Sequence, residues 1–381
     1  MNKMFDVAVI GSGPSGAIAA YESAKNGLKT ILIEKETLPR YKTCGGGFVY
    51  RGLKNMPFSV DKAIDIKFNE VTILFGAKNL SFKTKREKPI ISMVMRDQFD
   101  HLIVKKSQAE GVELFENAKV QNLVFHDNYT QIETSQGNIA AKFIIAADGA
   151  LSPTAKLAGW EETRRMSPAL EYEITVSDET FKKLAGSARF DIDAAPQGYG
   201  WCFPKANHLS VGVGNFKKSS KKVNLKKAYQ EYLKLLGIDK VLSEEAHGFI
   251  IPTSPRTDGF VKKNVFLTGD AAGFADPITA EGISNAIASG VMAAQAIVES
   301  QLNIEQAKAL YLDKVNKKLL PELETGIKLA KFFYGQKKLR NILLKKHGQR
   351  AAEYMTNIFM GDSTYPQNFY AKVKQKLKIT F

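Results

Sequence analysis

Three short stretches hold most of the residues able to do chemistry. In KTCGGGF the thiol of Cys44 stands between Lys42 and the glycines Gly45, Gly46 and Gly47. In PQGYGWCFPK the rings of Tyr199, Trp201 and Phe203 fall at alternate positions before Pro204. In GSGPSG the glycines Gly11, Gly13 and Gly16 follow an apolar run. Three glycines in a row remove side-chain bulk, so that backbone amides and a flat ring can come close. Alternation along a strand puts the three rings on one face, where they form either an apolar wall for a hydrocarbon chain or the core of a sheet. Cys44 has three readings: a small buried hydrophobe, a redox thiol, or a group that positions substrate or relays a proton. Cys202, between the motif rings, reads as packing.

The elements that must position these residues follow from the apolar pattern. Phe5 to Ile10 reads as a buried parallel strand, GSGPSG as a tight turn, AIAAYESAKNG as a helix ending at Gly27, and TILIEK as a second strand. This βαβ order, with the glycine spacing, describes a dinucleotide site whose pyrophosphate faces the helix N-terminus beside Ser15. Glu34, at the tip of the second strand, would take ribose hydroxyls. Two later apolar strands end in acid–glycine pairs, Asp148-Gly149 in FIIAADGALSP and Gly269-Asp270 in NVFLTGDAAG. A long helix is expected just after Pro277, carrying Gly282 and Ile283 near its start. Arg96 is read either as a cofactor ligand or as a solvated charge.

Those acid–glycine pairs, together with Arg96, Phe99 and Asp100, resemble the FAD-binding segments of the p-hydroxybenzoate-hydroxylase-like flavoproteins. KTCGGGF and the PxxYxWxFP pattern of Pro196, Tyr199, Trp201, Phe203 and Pro204 resemble the geranylgeranyl reductase family. The resemblance extends from the N-terminus through at least Gly290. It implies that Gly11, Gly13, Ser15, Gly16, Glu34, Lys42, Cys44, Gly45, Gly46, Arg96, Asp148, Gly269, Asp270, Gly282 and Ile283 hold FAD, with Asp270 on the ribityl chain. It implies that Gly47, Tyr199, Trp201, Phe203 and Pro204 contact substrate, and that Cys44, Tyr199 and Trp201 serve catalysis. The implied reaction saturates double bonds of a geranylgeranyl chain on a lipid or related isoprenoid. Electrons would come from NAD(P)H or from a reduced, ferredoxin-like redox protein. The same scaffold also supports hydroxylases and halogenases, and a non-catalytic flavin-binding protein recruited to a membrane is a further alternative.

The expected fold is α/β: a Rossmann-like FAD-binding domain interleaved with an antiparallel β-sheet substrate domain and followed by a helical C-terminal region. The expected boundaries are 1–47, 90–155 and 260–300 for the cofactor, 48–89 and 156–259 for the substrate or cap domain, and 301–381 for the basic helices. Two cysteines in 381 residues are too few for a disulfide framework or a four-thiolate metal site, and no metal is expected. A net charge of +15 favours anionic partners. No nucleic-acid-binding motif accompanies it, so nucleic acid is not expected. From Lys331 onward basic residues are interspersed with Phe332, Phe333, Leu339, Ile342, Leu343 and Leu344, either as a face that docks on anionic lipid or as a solvated helix packed on its apolar side. NAIASGVMAAQAIV falls short of the ~18 apolar residues that suggest a membrane span. The opening MNKMFDVAVIGSG shows almost no leader. The expected location is the cytoplasm, with any membrane contact peripheral on the inner face.

Overall fold

The run Met4–Ile10 is apolar almost throughout and forms a strand nearly buried on both faces, as a central parallel strand must be. It pairs in parallel with Thr30–Ile33 and Gly137–Ala146, and Glu113–Phe115 and Val265–Leu267 extend the parallel array on either side. Val261–Lys262, Thr130–Thr134 and Val120–Phe125 complete an eight-stranded sheet. The computed structural model describes residues 3–75, 80–216 and 223–366.

A second, seven-stranded sheet runs in the order Ser243–Pro252, Met166–Thr175, Leu209–Asn215, Gly198–Pro204, Ala188–Ile192, Glu70–Phe75, Leu80–Lys85. Its pairs are antiparallel except Ala188–Ile192 with Glu70–Phe75. One face carries Cys202, Val211, Val213 and Tyr172, covered by the helix Leu225–Leu236. The opposite face carries Tyr199, Trp201 and Phe203. A small sheet of Gly47–Val49, Ile91–Met93 and Ile66–Phe68 links the two larger ones. The mixed α/β architecture with a helical C-terminal region is the fold class expected from the sequence.

The C-terminal helices divide between two cores. Ile304–Lys318 packs on the nucleotide side, where the Tyr311 hydroxyl donates to the Leu267 carbonyl at 2.6 Å. Leu320–Gly335 and Lys337–Met360 pack with the aromatic face of the second sheet. The helix expected just after Pro277 begins instead at Ile283. Asp276 Oδ1 accepts from the backbone of Ile278 and Thr279, at 2.9 and 2.7 Å, which holds that stretch in a turn. Glu281 Oε1 then caps the true first turn by accepting from Ser284 N at 2.8 Å.

Candidate active site

The glycine turn is shaped by contacts that admit no side chain. Gly11 has φ +99°, and a Cβ there would lie 2.5 Å from the Ala147 carbonyl oxygen. A Cβ on Gly16 would fall 1.9 Å from the Gly11 oxygen, so helix Pro14–Lys25 starts hard against the strand it follows. Gly13 is different. A Cβ there would meet only Arg96, at 3.8 Å, which leaves room beside it. The helix has no side-chain cap and no acidic residue in its first turn, so its leading amides remain available to an anion.

Glu34 reaches back to this turn, accepting from Ser12 N at 3.0 Å and Ser12 Oγ at 2.5 Å, with Arg40 Nε 3.6 Å away. Burial opposes its ionisation, but Arg40 and the Ser12 donors outweigh that and hold its pKa below the usual carboxylate range. Arg96 lies against Asp100 through two hydrogen bonds, 2.8 and 2.9 Å, and Arg40 joins the same carboxylate at 3.0 Å. Ser12, Arg40 and Asp100 thus belong to the site. Of these only Asp100 had a sequence signal, its place four residues after Arg96.

Two polar groups at this end lack protein partners among the described residues. Ser15 Oγ is buried without a hydrogen bond. The Asp270 carboxylate accepts none either; burial raises its pKa, and the charges of Lys42, Arg96 and Arg164 oppose that rise. Gly282 stands beside it, a Cβ there falling 3.4 Å from Asp270 Oδ1, and Ile283 follows in the buried first turn of its helix. Gly269, with φ +54°, lets the strand end pass Ser15. An open anion-ready helix end, a partnerless carboxylate and a ribose-suited acid together fit an adenine dinucleotide with a polyol arm. Asp148 is spent locally: its carboxylate accepts from Ser152 Oγ at 2.6 Å and Thr154 N at 2.9 Å, ordering the turn beside Gly11. Arg164, fully buried, donates to the carbonyls of Ala150, Asp270 and Ala271 and so ties the two acid–glycine turns together.

The KTCGGGF loop lies across the aromatic strand. A Cβ on Gly45 would come 2.7 Å from Trp201 Nε1, and one on Gly47 3.0 Å from Phe203 Cε2. At Gly46 (φ +67°) a Cβ would sit 2.0 Å from the Val94 oxygen and 2.4 Å from Lys205 Nζ. The glycines therefore allow the loop to seat on the rings. Lys42 lies over the Phe249 ring at 3.8 Å, its pKa lowered by burial and by Arg96. Cys44 Sγ accepts from Gly46 N at 3.4 Å. Tyr199, Trp201 and Phe203 are each at most 7% exposed and share one face. Tyr199 stacks on Phe216 at 4.8 Å and donates to the Thr279 carbonyl, while Trp201 Nε1 has no partner among the described residues. Pro204 ends the strand, and Lys205 beyond it donates to the carbonyls of Gly45 and Val94 at 2.9 and 3.0 Å. Cys202 points to the other face, where burial pushes its thiol up to about 12.

A nucleotide-ready glycine turn and an apolar aromatic wall in one chain suit a dinucleotide-dependent oxidoreductase. The sequence matches the FAD binding domain family over residues 4–322, so the protein is an FAD-dependent oxidoreductase. It belongs to the geranylgeranyl reductase family: the chloroplastic geranylgeranyl diphosphate reductase of Arabidopsis thaliana is 30% identical to it, over 93% of this chain and 80% of the relative. A digeranylgeranylglycerophospholipid reductase of Methanococcus aeolicus is 28% identical over 87% of this chain and 88% of its own length. The crystal structure of a geranylgeranyl bacteriochlorophyll reductase-like protein from Thermoplasma acidophilum shares the fold, with TM-score 0.79 and 23% identity over 90% of this chain and 91% of that one.

Proposed function

We propose that this FAD-dependent reductase saturates carbon–carbon double bonds of a geranylgeranyl or related polyprenyl chain carried on a lipid. The seating of the KTCGGGF loop on the Tyr199–Trp201–Phe203 wall carries this reading, because it joins a thiol-bearing loop and an extended apolar surface at one place. The names of the relatives support the substrate class. FAD, held by the glycine turn, Glu34, Arg96 and Asp270, supplies a hydride equivalent when reduced. The wall orients the alkene and excludes water, and the faces of Tyr199 and Trp201 stabilise positive charge that builds on it. Cys44 fixes the alkene or relays a proton at the loop.

Electrons come from outside the chain, since the sequence has no second complete GxGxxG segment. NAD(P)H bound transiently or a ferredoxin-like protein fits that need. The substrate's setting also favours peripheral docking on anionic lipid. Among the described residues no helix is long and apolar enough to cross a membrane.

Anaerobic incubation of the reduced, FAD-loaded protein with a geranylgeranyl phospholipid and prenyl quinones, read by mass spectrometry, tests the activity. Products heavier by pairs of hydrogens are expected. Products that form only in air and gain oxygen would make the protein a hydroxylase. Cys44→Ser should keep FAD binding and cut the saturation rate about tenfold, as removal of a positioned proton-transfer group does. An unchanged rate would remove the thiol from the mechanism.

A further inference from the structure

The aromatic face of the second sheet also carries acids. Trp201 pairs across the sheet with Gly212, and Gly212 with Glu171. Because Gly212 has no side chain, the indole leans over it: a Cβ there would lie 2.1 Å from Trp201 Cζ2. Glu171 is therefore the next side chain along that row. Glu173, two residues on, faces the same way, and both acids lie beside the KTCGGGF loop that covers the wall.

Both carboxylates are largely withdrawn from water, Glu171 being 2% exposed. Ser210 Oγ donates to Glu171 Oε1 at 3.1 Å, and the Glu173 carboxylate lies close enough to raise the Glu171 pKa. Two adjacent buried carboxylates cannot both ionise cheaply, which favours one proton shared between them. His208 Nε2 lies 3.0 Å from Glu173 Oε2, and the His208 side chain is 20% exposed, which gives the pair a contact with solvent. On the other side Lys205, buried among the Gly45 and Val94 carbonyls, couples the pair to the loop that bears Cys44. Tyr41, stacked on His247 at 4.1 Å, covers the pair from the loop, and Glu245 and His247 face it from the neighbouring strand.

We propose that the Glu171–Glu173 pair is the proton source for double-bond saturation, reloaded from solvent through His208. The inference rests on the reductase reading above. The alkene's π bond is consumed and two C–H bonds form, one from the hydride equivalent of the reduced cofactor and one from the pair's proton. The alkene is reduced and the cofactor oxidised. The pair then regains a proton from water by way of the imidazole. No other oxidant or reductant is required.

The charge balance sets the pH dependence. Burial first, and then the neighbouring Glu173, raise the Glu171 pKa above the usual carboxylate range, whereas at Glu173 burial is outweighed by His208, Glu171 and Lys205 and the pKa is lowered. The pair therefore keeps a proton above the usual carboxylate range and loses it as pH rises through the raised pKa, and saturation falls over the same range.

Infrared titration of the FAD-loaded protein without substrate reads this proton directly. The expected result is a protonated-carboxyl band that persists well above the usual carboxylate range, disappears as pH is raised further, and is absent from Glu171→Gln. Glu173→Gln removes a like charge and should shift the band's loss to lower pH. Lys205→Met removes a cation and should shift it higher. In turnover, Glu171→Gln should lower the rate at least tenfold and abolish the basic limb, while FAD absorbance stays normal. A wild type without the band, or a Glu171→Gln enzyme with the wild-type pH profile, would overturn the proposal. If the wild type forms no saturated product at all, the reductase reading falls, and with it the destination of the proton. The band still decides whether the pair shares one.

Discussion

Gly212 determines where Trp201 can sit. The indole covers the glycine so closely that a methyl group there would need the ring to move by more than an ångström, given the 2.1 Å approach. Overpacking of this kind costs about 1–3 kcal/mol, and here the strain falls on a ring of the proposed substrate wall. Gly212→Ala is expected to fold, to change the fluorescence of Trp201, and to lower the saturation rate by roughly a hundredfold, as an ångström of misplacement can. The other tryptophan, Trp160, is anchored by its bond to the Gly259 carbonyl and should not respond. A wild-type rate would show that Trp201 is only core. The alternation of Tyr199, Trp201 and Phe203 was legible in the sequence because strand geometry alone puts such residues on one face. The roles of Gly212, Lys205 and Glu171 were not, because they depend on which strands lie side by side. A local pattern does not encode register between segments far apart in the chain.

At the level of elements, the strand–turn–helix at the N-terminus was readable because its apolar run, glycine spacing and helix stop all agree. The start of the Ile283–Glu299 helix was not. Proline usually favours a first helical turn, but here Asp276 competes for the backbone donors that such a turn would leave free. The same Oδ1 also accepts from Thr279 Oγ1 at 2.9 Å and from the Tyr365 hydroxyl at 3.1 Å. The resulting loop presents the Thr279 and Ile278 carbonyls to the hydroxyls of Tyr199 and Tyr334. It thus connects the helix end near Asp270 to the aromatic wall. Asp276→Ala would leave several buried donors unpaired, each costing about 1–3 kcal/mol. A loss of about 3 kcal/mol in unfolding free energy is expected, with weaker FAD binding measured by equilibrium dialysis. Asp276→Asn, which keeps an acceptor oxygen, should recover most of both. Equal losses in the two variants would show that the charge, and not the acceptor geometry, holds the loop.

Over the whole molecule, the excess of positive charge was plain from composition, but its placement was not. Arg340 sits in the basic C-terminal stretch yet is 1% exposed, paired with Asp193 and placed over the rings of Phe75 and Phe333. It acts as a bolt between the helix Lys337–Met360 and the second sheet, which composition could not separate from a solvated charge. Leu344 is likewise buried. Among the exposed residues of this stretch, Lys338, Ile342, Lys345 and Lys346 recur at helical spacing as a narrower face, with Ile342 66% exposed. The basic residues from Lys372 to Lys378 lie outside the described residues. Cations around one apolar side chain suit a surface of anionic headgroups, each worth about 1 kcal/mol near such a membrane. If the substrate is the lipid-borne polyprenyl chain proposed above, docking by that face would raise the local concentration of chains at the wall. Sedimentation with vesicles containing phosphatidylserine should therefore show binding at low salt that falls steeply as salt is added. Replacing Lys338, Lys345 and Lys346 together by Gln should weaken that binding by roughly two orders of magnitude, while turnover of a detergent-dispersed substrate stays unchanged. Vesicle binding that ignores both salt and the triple substitution would assign the face to solvation alone and move the docking surface elsewhere.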